Sequence, residues 1–329
     1  MKAYFVDLDY ENFLFDPNYL PSNSKNIAAI REFEYVFFLV NKEPCILKNL
    51  KNYSENYLNK LKELNFYIPQ LSPEVTVCEN WWGSRTNLDL EKKLNSKITS
   101  AQIAKDLGCG FVNGKIVNSL DEITAYIKDL PFKKYILKSP YSFSGIGHTI
   151  FTKDQVPLVQ FHTPYLLEPV YDRVFDLGVT FEMQDGIFSR MFMVENFNNQ
   201  KGSFKGGMGA GKLETFIEVI RDKYQYDLTP HLDKYHQIFE TYKKLGATGN
   251  VQIDSFVYRD EFDGSLKLYQ LVEVNYRKTM GLVIQNLAEH FPEKYIEWRI
   301  THTSEYENQP EYIKLSPENN KFNSYLRVY

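Results

Sequence analysis

The segment GNVQIDSFVYRDEFDGSLKLYQLVEVNYRKTMG, residues 249–281, carries the side chains best suited to chemistry. Two runs of alternating apolar and polar residues flank Asp263-Gly264, a pair that favours a tight two-residue hairpin. With that turn regular, Asp254 lies opposite Glu273 and Gln252 opposite Asn275. Side chains alternate along a strand, so Asp254, Glu273 and Asn275 then share one face. A bulge would shift this register. Two carboxylates that close repel by roughly 4 kcal/mol at an effective dielectric of about 20, so a cation belongs between them. Three hard oxygen donors suit Mg²⁺ that also touches phosphate oxygens. The plainer alternative is an exposed hairpin face decorated with polar groups.

A second candidate is KYILKSPYSFSGIGHTIF, residues 134–151. It places Lys138 at a strand end, ahead of Ser142, Ser144, Gly145 and Gly147. Small residues let backbone N–H groups turn toward an anion, and a lysine at the strand end reaches the same phosphates. The G-K-[ST] ending and the following helix of a Walker A loop are missing. The pattern predicts a Gly-rich flap between two strands, with an ordinary flexible β-turn as the alternative. His148 reads as an incidental strand residue.

A third is LLEPVYDRVFD, residues 166–176, an apolar strand that meets an acid and then a proline. Backbone groups of Pro169, Val170 and Tyr171 at this strand end can pair with the edge of adenine. Pro169 offers only its carbonyl. Glu168, Asp172 and Asp176 are candidates for ribose or amino-group contacts, with a solvated turn as the alternative.

These segments need elements to hold them. AYFVD (3–7), YVFFLV (35–40) and NFYIP (65–69) read as strands. Helical spacing around Ile27, Ile30 and Phe33, and a Ser-capped helix over 54–64, separate them. This alternation predicts a small parallel sheet that ends near Trp81-Trp82-Gly83-Ser84. A second unit begins near Asn95, where SKITSAQIAKDLG predicts a helix with Gly108 just past its end. VFDLGVTFEM and IFSRMFMVEN predict a hairpin around Gln184-Asp185-Gly186, and residues 199–212 a mobile Gly-rich loop. Helices are expected over 231–245 and 278–290, and strands over 250–258 and 267–274. The last 27 or so residues are polar and give no clear pattern.

The chain has 329 residues, enough for two domains or one with subdomains, and a 43% apolar fraction ordinary for a globular protein. A net charge of -4 argues against a nucleic-acid partner. Cys45, Cys78 and Cys109 are odd in number and far apart, which fits a reducing compartment better than a disulfide framework. The start MKAYFVDLDY carries acids where a signal peptide needs an apolar run. No stretch approaches the roughly 18 apolar residues of a membrane span. The expectation is a cytoplasmic protein without a membrane partner.

Taken in order, these pieces resemble the ATP-grasp superfamily, which includes D-alanine–D-alanine ligase, glutathione synthetase and biotin carboxylase. The family pattern has a first lysine, a strand lysine before a flexible Gly-rich loop, an acid at the interdomain strand, then an acid and E-x-N on late strands. Lys97, Lys138, the 142–147 loop, Glu168, Asp254, and Glu273 with Asn275 match it. The resemblance covers about residues 95–290, and residues 1–94 resemble the Rossmann-like domain that usually precedes an ATP-grasp fold. WWGS, K-S-P-Y-S-x-S-G-x-G, L-E-P-V-Y-D-R-V-x-D and V-E-V-N-Y-R-K-T-M-G are similar to a bacterial ATP-grasp group that has no assigned substrate.

The resemblance implies a fold of α/β and α+β type: a Rossmann-like pre-ATP-grasp domain (1–94), then an N-terminal subdomain (95–165) and a C-terminal subdomain with tail (166–329). It implies ATP and Mg²⁺ as cofactors, and ligation of a small-molecule or peptide carboxylate to an amine or thiol acceptor through an acyl phosphate. Lys97 and Lys138 would neutralise α/β-phosphate charge, and Asp254, Glu273 and Asn275 would hold Mg²⁺. Arg277, two residues past Asn275, would grip the carboxylate or transferring phosphoryl group; a structural salt bridge is its alternative role. Lys278 to Gly281 lead into a helix whose N-terminus can face an anion. Lys201, Lys205 and Lys212 would let the 199–212 loop close over the acceptor. Two other readings are an ATP-binding sensor or scaffold without ligation, and a carbamoyl-phosphate-like enzyme, which the short chain disfavours.

Overall fold

A computed structural model of the chain describes residues 1–16, 18–19, 24–141, 147–184, 186–199 and 202–329. The expected loop positions Ser142, Ser144 and Gly145 lie outside the described residues, as do Asp185 and Lys201. Three sheets are present among the described residues.

The first sheet is parallel and ordered β3-β2-β1-β4. It is built from β1 (Ala3–Phe5), β2 (Ile46–Leu47), β3 (Gln70–Leu71) and β4 (Glu79–Asn80), joined through α1 (Tyr10–Phe15), α2 (Ser24–Phe33) and α3 (Glu55–Glu63). Ser54 caps α3 as expected, its side chain accepting from the Tyr57 N–H at 3.2 Å. YVFFLV is not a strand: Glu34–Phe37 form a short 3₁₀ helix that continues into a turn. Tyr35 through Leu39 are buried there, and Phe37 meets Trp81 edge-on at 5.3 Å. An unbroken apolar run has no alternation to separate strand from buried helix. The expected strand at 65–69 instead forms just beyond it, as β3.

Helices α4 (Leu88–Asn95) and α5 (Lys97–Leu107) lead into the second part, and Gly108 closes α5 with φ 63. A small antiparallel sheet follows, ordered β5-β8-β6-β7. Its strands are β5 (Lys115–Val117), β6 (Lys134–Lys138), β7 (His148–Thr152) and β8 (Tyr165–Pro169), with α6 (Leu120–Ile127) packed on it.

The third sheet has eight strands in the order β13-β12-β9-β10-β11-β14-β16-β15. They are β9 (Asp172–Gln184), β10 (Ile187–Asn198), β11 (Phe204–Ala210), β12 (Val251–Arg259), β13 (Leu266–Asn275), β14 (Tyr295–Thr301), β15 (Tyr312–Lys314) and β16 (Asn323–Val328). Helices α7 (Leu213–Tyr224), α8 (Leu232–Lys244) and α9 (Met280–Glu289) complete it. The C-terminal residues that carried no sequence pattern thus extend the sheet edge. One core joins α5, α7 and α8 to β9, β12 and β13. Another joins the N-terminal unit to α9, β14 and β16.

The glycines of 199–212 correct the expected mobile loop. Gly206, Gly207 and Gly209 belong to β11, which is buried between β10 and β14 under α9. A Cβ on Gly206 would sit 1.9 Å from the Trp298 carbonyl oxygen, and one on Gly207 2.3 Å from the Glu195 carbonyl oxygen. These glycines answer crowding, not flexibility. Lys212 pairs with Glu293 at 2.7 Å, and Lys205 lies within the strand, so neither serves a closing loop.

Candidate functional site

Strands β12 and β13 place Asp254 opposite Glu273 and Gln252 opposite Asn275. The turn itself is not the expected two-residue hairpin. Asp260 N–H donates to the Ser265 carbonyl at 2.9 Å, closing a longer loop, and near it the pairing is offset, with Arg259 opposite Leu266. A bulge after Glu273's side of the ladder restores the register: only Ser255 stands against Gln270–Val272. The extra N–H groups of Gln270 and Leu271 are taken up by the Cys109 carbonyl, at 3.1 and 3.2 Å. Ser255 Oγ donates to the Gln270 carbonyl at 2.5 Å.

A hydrogen-bonded chain then fixes the acidic face. Gln252 Nε2 donates to Asp254 Oδ1 at 2.8 Å, and Asn275 Nδ2 donates to Asp254 Oδ2 at 2.8 Å. Gln252 is held in turn by the hydroxyls of Thr180 and Thr279. Arg277 Nη2 donates to Asn275 Oδ1 at 2.9 Å and pairs with Glu11 Oε1 at 2.5 Å. Lys97, buried in the first turn of α5, forms an ion pair with Glu273. Lys97 N–H donates to the Pro140 carbonyl at 3.1 Å, so the base of the Gly-rich segment is tied to the same helix end.

Charge divides unevenly between the two acids. Burial and the facing Glu273 raise the Asp254 pKa well above the usual carboxylate range. Burial also acts upward on Glu273, but Lys97, helped by Lys138 and His148, outweighs it and holds Glu273 below that range. His148 is lowered to about 4 by burial, with Lys138 and Lys97 adding to the effect. Lys97, Lys138, His148 and Glu273 therefore act on one another across one space.

Lys138 Nζ lies 2.5 Å from Glu168 Oε2, both side chains buried, and the Tyr269 hydroxyl donates to the other Glu168 oxygen. Lys138 and Glu168 border a narrow cleft with Ile136, Pro169, Val170, Arg173 and Phe256. The Val170 N–H is used by the Lys134 carbonyl at 3.0 Å, so at Val170 only the carbonyl can read a base edge. Tyr171 lines the same cleft, its ring packed among Phe132, Tyr258 and Tyr269. Asp176 accepts from Arg173 at 3.0 Å and from Asn198 at 2.9 Å, whereas Asp172 is exposed. Gly147 has φ 78, and its carbonyl accepts from Ser139 at 3.3 Å.

Sequence reasoning did not find Glu11, Thr180, Arg173 or Tyr269, nor the positioning role of Gln252. Only Gln252 had a signal, two residues before Asp254 on the same strand face.

The donor set fits Mg²⁺. Among the described residues no group of three or more His, Cys, Asp or Glu is poised for a metal. Magnesium instead commonly takes one or two carboxylates and completes its shell with phosphate and water. The raised Asp254 carboxyl beside an ionised Glu273 is what a divalent cation would relieve.

No family model and no curated protein matches the sequence. Solved structures match in fold. Biotin carboxylase from Campylobacter jejuni in complex with β,γ-ATP aligns at TM-score 0.57 and 9% identity, over 100% of this chain and 87% of that one. N5-carboxyaminoimidazole synthetase from Staphylococcus aureus complexed with ADP aligns at 0.51 and 10%, over 99% and 92%. The biotin carboxylase domain of Hydrogenobacter thermophilus 2-oxoglutarate carboxylase, with MgADP and bicarbonate, aligns at 0.51 and 12%, over 100% and 86%. These are ATP-grasp enzymes, and the chain shares their fold. Among the described residues no helix is long and apolar enough to cross a membrane.

Proposed function

With the ATP-grasp fold as premise, we propose that the chain is an ATP- and Mg²⁺-dependent ligase that joins a carboxylate to an amine or thiol. The observation that carries this reading is the convergence of Asp254, Glu273 and Asn275 beside the buried cation Lys97. We keep the three-part organisation 1–94, 95–165 and 166–329 as part of the proposal.

Phosphoryl transfer depends mainly on positioning and charge neutralisation. Lys97 and Lys138 bind the phosphates, beside Gly147. Glu168, the carbonyls of Pro169 and Val170, the Tyr171 backbone and Asp176 receive the nucleoside. Asp254, Glu273 and Asn275 would hold Mg²⁺, which would supply positive charge to stabilise the phosphoryl group being transferred. Arg277 steadies the substrate carboxylate or the transferring phosphoryl group. A carboxylate oxygen attacks the γ-phosphorus and ADP leaves. The acceptor then attacks the acyl carbon, phosphate departs with the bonding pair, and the acceptor's proton is lost to solvent.

A sensor that binds ATP without ligation would need Arg277 only for its salt bridge with Glu11, whereas the guanidinium is also aligned on Asn275. The test is ADP and phosphate release on adding carboxylates with amines or thiols, with hydroxylamine trapping any acyl phosphate as a hydroxamate. Substrate-dependent ADP release supports ligation. ATP binding with no ADP release under any pairing would favour the sensor.

A further inference from the structure

Beyond β1 and β4 of the sheet β3-β2-β1-β4 lies a polar cluster that the ATP-binding residues do not use. In open parallel sheets, ligands bind beyond the carboxyl ends of the strands. Here β1 runs into Asp7 and Asp9, and β4 into Trp82 and Arg85. Asp7 Oδ1 accepts the Trp82 N–H at 2.7 Å, and Asp7 Oδ2 pairs with Arg85 Nε at 3.0 Å. Arg85 Nη2 donates to Asp9 Oδ1 at 2.9 Å.

Asp9 is the anomaly. It stands at the N-cap of α1, where an aspartate usually accepts a helix N–H, yet it makes no capping bond. Its side chain is 3% exposed, and Oδ2 is sealed from solvent without a hydrogen-bond partner among the described residues. Bonded to the same carbon as Oδ1, that oxygen lies within the cluster. A buried carboxylate oxygen without a donor calls for an explanation, which a ligand, an ion or a water would supply. Arg85, which crowns the group, holds φ 56, a left-handed backbone unusual for a residue with a side chain.

The cluster also adjoins the proposed catalytic centre. Trp82 lies under the Arg277 guanidinium at 5.3 Å, and Glu11, two residues beyond Asp9, pairs with Arg277. We propose that this strand-end cluster is the acceptor subsite and that it takes a primary amine in its neutral, nucleophilic form, with Asp9 Oδ2 accepting one of its N–H groups. The choice of amine over thiol rests on the ligase reading above and on the chemistry of Asp9: a carboxylate with a missing donor calls for N–H, which a thiol supplies poorly.

Trp82 makes the cluster observable. The experiment titrates the full chain with linear diamines and α-amino acids, and with the same carbon chains bearing hydroxyl or thiol in place of the amine, following tryptophan emission. ATP binding is measured in parallel. The expected result is a saturable response to amines alone, weakened at least tenfold in both Asp9→Asn and Asp9→Ser, each still folded by near-UV circular dichroism. The inference is overturned if the wild-type chain binds ATP but responds to no amine, if thiols respond and amines do not, or if both variants respond like wild type. Failure of the wild-type chain to bind ATP would instead overturn the ligase reading itself.

Discussion

Lys97 and Glu273 form an ion pair that fastens the start of α5 to the end of β13. Lys97 is almost fully buried, while the Glu273 side chain is 23% exposed. The pair therefore does two things at once. It keeps Glu273 ionised next to Asp254, and it holds a cation at the edge of the space where phosphates would lie.

Replacing Glu273 with Gln keeps the shape and removes the charge. Turnover of Mg-ATP should fall at least 100-fold, and stability by about 1–3 kcal/mol, because Lys97 keeps only a neutral acceptor. Steady-state ADP release and urea denaturation measure the two effects. Unchanged turnover would remove Glu273 from the metal set.

Lys138→Ala should weaken ATP binding by about tenfold or more in a calorimetric titration. It also strands Glu168, which retains only the Tyr269 hydroxyl, so stability should fall by about 3 kcal/mol. Equal ATP affinity in wild type and variant would count against a phosphate role for Lys138.

Gly281 tests whether Gln252 positions the metal set. A Cβ there would lie 2.5 Å from Gln252 Oε1. Gly281→Ala should cost about 1–3 kcal/mol of stability through overpacking. It should also reduce Mg-ATP turnover about tenfold, because a displaced Gln252 no longer orients Asp254. A stability loss with full activity would show that Gln252 is structural only.

Asp7 gives a pH signature. Burial raises its pKa to about 6, against the opposing pull of Arg85. The folded state thus holds this proton more tightly than the unfolded chain. The resulting stabilisation is complete below about pH 4 and is lost as pH rises through about 6, amounting to about 3 kcal/mol. Denaturation of wild type should lose stability over this window relative to Asp7→Asn, whose side chain does not titrate. Parallel pH dependence in the two proteins would contradict the assignment.

The metal-set register was legible in the sequence, but for an incomplete reason. Asp263-Gly264 predicts a two-residue turn, while the real loop spans more residues and the bulge opposite Ser255 compensates for it. The bulge is fixed by the Cys109 carbonyl, a tertiary contact that no local pattern announces. YVFFLV lacked the alternation that would have separated strand from helix. The glycines of β11 signalled close approach to Trp298 and Glu195, which composition alone reads as a loop. Glu11 reaches Arg277 across 266 positions of chain and could not have been inferred from spacing. Helix α5, by contrast, was readable from its periodicity and its Gly108 cap, because those signals are local.

The most direct test is a crystal structure with a non-hydrolysable ATP analogue and Mg²⁺. The account predicts a metal at about 2.1 Å from oxygens of Asp254, Glu273 and Asn275, with the triphosphate beside Lys97 and Lys138. An analogue bound elsewhere, or a metal that touches none of those three side chains, would contradict it.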